Sequence, residues 1–220
     1  MPRMRNFPVT HAVFMLLAVG IDGTRQALRE CGLETRKLSD SLRRMFLEIF
    51  DYNERDYEIL LDQCAHEAPI RATADWLDIS ASTVSRRTPG LAQRFRQGVL
   101  AIVMCNLLRL YEKAVLWNDN PPRALRGDSH VFIVSLPNSS QAFAERPTRQ
   151  DVVVFLKDHW NHIDVFGPRL GAISGWRETD DTWKLSIGFV TDDFSSAVAM
   201  AQRFHESEVL DFRTKSGLPV

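Results

Sequence analysis

The stretch that most constrains this chain is PIRATADWLDISASTVSRR, residues 69–87, which reads as two short helices joined by a tight turn. In the first helix Ala72 and Ala74 are small while Trp76 and Leu77 are large, a mixture that lets a second helix cross closely. Asp78-Ile79-Ser80 supplies the turn. Asp78 is short and polar and tolerates the left-handed backbone a tight turn needs, and Ile79 plugs the space between the helices. Ser80 is a good N-cap for the second helix. That helix, expected over 81–87, turns Val84 inward and leaves Ala81, Ser82, Ser85 and Arg86 on the opposite side. Small polar side chains beside a guanidinium suit a helix pressed into a major groove.

The run from Thr73 to Arg86 resembles the motif of LacI-type repressors, with Ala74, Ile79, Ser80, Thr83, Val84, Ser85 and Arg86 in pattern. Asp78 departs from it, since that family usually has glycine there. The longer span from Asn53 to Arg87 is similar to the C-terminal domains of LuxR-type regulators and to the last DNA-binding region of sigma factors, where a scaffold helix precedes the motif. The resemblance covers residues 53–88 and implies a helix-turn-helix. Ala81, Ser82, Ser85 and Arg86 are then expected to contact bases, and Ser80, Thr83, Arg87, Arg94 and Arg96 to contact phosphates.

Charge supports the same face. The whole chain carries a net charge of -1, so a protein coated in basic residues is excluded. Between Ile79 and Tyr111, however, stand Arg86, Arg87, Arg94, Arg96 and Arg109 and no acid. A field of that sign next to a groove-reading helix is what phosphate binding requires.

Helical periodicity predicts further helices over 8–19, 24–30, 39–50 and 54–65, the last with Tyr57, Leu60, Leu61 and Cys64 as its apolar stripe. Proline disfavours helix at the residue before it, so Thr88-Pro89-Gly90 is expected to end the reading helix. Next comes a long helix over 91–117, apolar nearly all round from Val99 to Leu108; either a wrapped core helix or a dimer contact accounts for that, the latter tested by charges at Leu107 and Leu108. Asn118-Asp119-Asn120-Pro121-Pro122 and Gly127-Asp128 mark a linker over 118–128. The expected organisation is thus a helical DNA-binding domain at 1–117 with the motif at 69–88, and a small α/β domain at 129–220.

That second domain reads β-α-β-β-α-β: strands over 130–136, 171–176, 182–190 and 209–213, and helices over 149–163 and 194–205. The fold class expected is α+β, an all-helical N-terminal half followed by a ferredoxin-like domain for oligomerisation or sensing.

Little else carries chemistry. His159 and His162 lie three apart on one helix beside Asp158, and His205 lies on another, but the spacing matches no zinc motif; no metal and no cofactor are expected. No nucleophile elbow, phosphate-cradling glycine loop or kinase signature is present, so no enzymatic role is expected. Cys31, Cys64 and Cys105 are far apart, which suits a reducing, cytoplasmic setting. Arg3 and Arg5 precede the apolar run 12–19, but that run lacks a small-x-small cleavage site and is too short for a bilayer. The expected partners are double-stranded DNA, a second copy of the chain and an effector at the C-terminal domain, with no membrane. The function implied is sequence-specific transcriptional regulation of bacterial or phage type. A DNA-binding accessory protein of a mobile element, or a metal-binding or enzymatic protein with a merely structural helical half, is the alternative.

Overall fold

Lys113, at the start of a strand, places its ammonium 2.8 Å from the Phe212 carbonyl and 2.5 Å from that of Arg213, nearly a hundred residues on. Only a sheet that curls back on itself brings these positions together. The computed structural model describes residues 47, 51–117, 123–126, 129–165, 171–178 and 180–220, and divides into two units, Met1–Leu100 and Ala101–Val220. The expected helices over 8–19, 24–30 and 39–50 lie outside the described residues, apart from the helical Leu47.

In the first unit, α1 (Glu54–Leu60) opens on Asn53, whose side chain accepts from the Asp56 N–H, and runs into a π-helical turn, Leu61–Ala65. Helix α2 (Ile70–Leu77) comes next, and then α3 (Ala81–Leu110), a single helix of 30 residues. The division between the units falls inside α3. Its length corrects the expected break at Thr88-Pro89-Gly90, because Pro89 sits within the helix. Proline removes one N–H from the helical ladder. The carbonyl deprived of that donor is Ser85's; one residue earlier, Thr88 Oγ1 donates to the Val84 carbonyl at 2.8 Å.

The second unit is built on a seven-stranded antiparallel sheet of order β2-β1-β4-β5-β3-β6-β7. Its strands are β1 (Lys113–Trp117), β2 (Arg123–Arg126), β3 (Phe132–Phe143), β4 (Ala172–Arg177), β5 (Trp183–Thr191), β6 (Glu208–Asp211) and β7 (Ser216–Pro219). Helices α4 (Arg149–Asp158) and α5 (Trp160–Val165) lie between β3 and β4, and α6 (Phe194–Phe204) between β5 and β6. The ferredoxin-like expectation is therefore overturned. The four strands it named are present as β3 to β6, but as the middle of a curled half-barrel extended by β1 and β2 on one edge and β7 on the other. Nor is the N-terminal half all helical: the helical segment spans 54–110, and strand structure starts at Lys113, inside the segment expected to be helix. The expected linker over 118–128 contributes β2 to the sheet.

The two faces of the sheet divide the apolar residues by alternation. On the concave face Val115, Trp117, Val131, Ile133, Ala172, Val190 and Phe212 form one buried cluster. The outer face carries Phe132 and Val134, which pack with Val209 and with Ala197 and Ala201 of α6. Leu108, one of the two positions named to test a dimer contact, is buried in its own unit: a Cβ built on Gly175 would meet its methyl at 3.0 Å and that of Leu185 at 2.9 Å.

Strand β3 is interrupted between Ser135 and Ser140, where its register with β5 shifts. Asn138 takes a left-handed backbone there, with φ 57°. The buried Ser139 hydroxyl lies 2.7 Å from the Leu136 carbonyl and 2.5 Å from that of Ile187, sharing its one proton between them. Opposite Ser135 stands Gly188, where any Cβ would overlap the Val134 carbonyl.

Candidate nucleic-acid interface

Helix α2 is tied to the π-helical turn before it by one buried threonine. Thr73 is fully buried; its hydroxyl donates to Asp62 Oδ2 at 3.3 Å and accepts from Gln63 Nε2 at 2.8 Å. Both partners come from that turn. The same Gln63 amide donates to the Ala68 carbonyl at 3.1 Å, closing the link between the helices.

The turn after α2 is made by Asp78, at φ 52° and ψ 53°. This left-handed residue lets the Ile79 N–H reach back to the Ala74 carbonyl at 3.0 Å, satisfying the end of the helix. Ser80 then caps α3, its hydroxyl accepting from the Thr83 N–H at 3.1 Å and lying 2.9 Å and 2.8 Å from the Ser82 and Thr83 hydroxyls. Val84 is fully buried, while Ser82, Ser85 and Arg86 are exposed and Ala81 and Thr83 are half-buried. The four residues expected to read bases thus share the opening turns of α3. Among the described residues Arg86 has no ion pair.

Arg87 and Arg94 are differently placed. Arg87 Nη2 stands 2.5 Å from Asp56 Oδ1, and Arg94 Nη2 stands 3.3 Å from Asp56 Oδ2. Asp56 is 3% exposed. Among the described residues its Oδ1 receives no aligned hydrogen bond, and the contact of that oxygen with Arg87 is an ion pair. Arg94 is fixed further by donating to the Asp51 carbonyl at 3.0 Å and by lying over the Tyr52 ring. Burial, opposed by Arg94, pushes the Tyr52 phenol above its ordinary range, and its hydroxyl donates to the Leu91 carbonyl at 2.5 Å. Arg96 is half-buried, and Arg109 is exposed at the far end of α3.

Asp56 is a residue that sequence reasoning missed. A signal was available: four residues before Leu60, it shares the apolar stripe of α1, and a buried acid requires a cation. The acid-free run of arginines supplies two.

The histidines do not assemble. The His159 and His162 rings are 5.9 Å apart, His205 ends α6 in left-handed backbone, and no group of three or more metal-holding side chains exists among the described residues. Burial lowers the His159 pKa, with His162 adding to the effect and Asp158 opposing it. Nor is any helix among the described residues long and apolar enough to cross a membrane.

Compared with known proteins, the chain matches no family model, no curated protein and no solved structure.

Proposed function

We propose that the chain binds double-stranded DNA in a sequence-specific way through the first two turns of α3, as a cytoplasmic transcriptional regulator of bacterial or phage type. The observation that carries this reading is the exposed face of Ser82, Ser85 and Arg86, directly after a left-handed turn and a serine cap, in a segment free of acids from Ile79 to Tyr111. Arg86 is long enough to reach guanine O6 and N7, while Ala81, Ser82 and Ser85 are small enough to let the helix approach the bases. Ser80 and Thr83, at the helix start, are suited to phosphate. One reading helix covers only a few base pairs, so two copies on paired half-sites about one helical turn apart are part of the proposal. The curled sheet is assigned to association or effector binding.

Selection of bound fragments from sheared genomic DNA by the full chain tests the reading. A shared short sequence, recovered in inverted pairs, is the expected result. Recovery of fragments with no common sequence, or of none, overturns it.

A further inference from the structure

We propose that Asp56 is a specificity-determining residue that withholds Arg87 and Arg94 from DNA phosphates, leaving Arg86 as the cation nearest the bases; this rests on the DNA-binding reading of α3. Asp56 belongs to α1, yet its carboxylate meets two guanidinium groups seven residues apart on one face of α3, on either side of Pro89. The carboxylate is 5% exposed, while the Arg87 and Arg94 side chains are 35% and 41% exposed. The acid is thus an internal counter-ion, and the cations it restrains remain at the surface. Without it, the Arg87 guanidinium, one residue from Arg86, would lose its counter-ion and could find any phosphate, while Arg94 would keep the Asp51 carbonyl and the Tyr52 ring.

The consequence comes from how the two kinds of binding are driven. Non-specific affinity arises almost wholly from cations displacing counter-ions at phosphates, whereas base contacts discriminate. An acid that occupies two cations beside the reading helix therefore lowers the affinity for random DNA more than that for a preferred site. The two arginines are not equally held. Among the described residues Arg94 has a carbonyl and an aromatic ring as additional partners, whereas Arg87 has the Asp56 carboxylate alone. Arg87 is the first to be released.

The test is the salt dependence of binding to a random-sequence duplex, measured for the wild type, Asp56→Asn and Arg87→Gln. Asparagine keeps the size and removes the charge. Asp56→Asn should bind the random duplex more tightly and steepen the slope of log K against log salt by about 0.9 for each phosphate newly engaged. A role confined to folding would weaken binding without steepening the slope, and that result overturns the proposal. Arg87→Gln, which leaves Arg94 on Asp56, should keep the wild-type slope; a slope shallower by about 0.9 shows that Arg87 already contacts phosphate and overturns the proposal. This second variant decides the matter if Asp56→Asn does not fold. Coincident salt curves for the wild type and a folded Asp56→Asn, including no binding by either, also overturn it. Because the duplex has no preferred sequence, a steeper slope for Asp56→Asn stands even if genomic selection finds no site, so the two failures are distinguishable.

Discussion

Thr88 Oγ1 donates to the Val84 carbonyl at 2.8 Å, one residue ahead of a proline that the helix passes through without ending. The proline nitrogen has no proton to offer the Ser85 carbonyl, and the hydroxyl bonds the carbonyl before it. Next to this point Gly90 is exposed, and a Cβ built on it would meet nothing within 4 Å. Gly90→Ala should therefore stabilise the chain by about 0.5–1 kcal/mol, the usual helical advantage of alanine. Urea denaturation measures it; a lower midpoint would mean that α3 does not stay helical there.

Arg86→Ala should cost about 1–3 kcal/mol on a selected site and little on random DNA, which is the behaviour of a bidentate base contact. Fluorescence anisotropy with the two duplexes reads the difference. Equal losses on both would reassign Arg86 to phosphate.

Gly188→Ala should destabilise the second unit by about 1–3 kcal/mol, because the added methyl meets the backbone of β3 and not the movable end of a side chain. Thermal unfolding of the variant checks this. A wild-type midpoint would show that β3 yields at no cost.

Leu108→Ala should cost about 2–5 kcal/mol, since a side chain 1% exposed is removed from beside Gly175 and Leu185. Unchanged stability together with loss of self-association would return Leu108 to a contact between copies.

The pH dependence has a definite sign. His159 has its pKa lowered from 6.5 on folding, chiefly by burial, so the unfolded chain takes up the proton more readily. The stability that neutral His159 contributes is present above 6.5 and is lost as the pH falls through the folded value. His159→Gln should flatten this loss when urea midpoints are compared between about pH 7.5 and about pH 5. A variant with the wild-type dependence would place the titration elsewhere.

Local chemistry was legible in the sequence. Asp78 in left-handed backbone and Ser80 as a cap stem from short polar side chains. The features that escaped depend on partners distant in sequence. Lys113–Trp117 lies within the segment expected to be helix, and no periodicity separates the end of a buried helix from a short buried strand. Ser216–Pro219 contains a glycine and a proline, which an outermost strand tolerates and an isolated sequence pattern does not reveal. Pro89 reads as a stop because its local preference is clear, whereas the helix passes through it. In the candidate interface the outward residues of α3 could be read from spacing, but the pairing of Arg87 and Arg94 with Asp56, about 30 to 40 residues away, could not.

From Ser135 to Ser140 strand β3 takes five steps while β5 takes two from Gly188 to Ser186, a surplus of three. An odd surplus exchanges parity: Val131, Ile133 and Ser135 line the concave face before the excursion, and Ser140 and Ala142 do so after it. The excursion therefore works as a phase inverter. Lengthening or shortening 136–139 by two residues would leave every later side chain of β3 on its present side. A change of one would carry Ser140 and Ala142 to the outer face and swing Phe143 inward, so the length of this small loop is constrained by evenness more than by size.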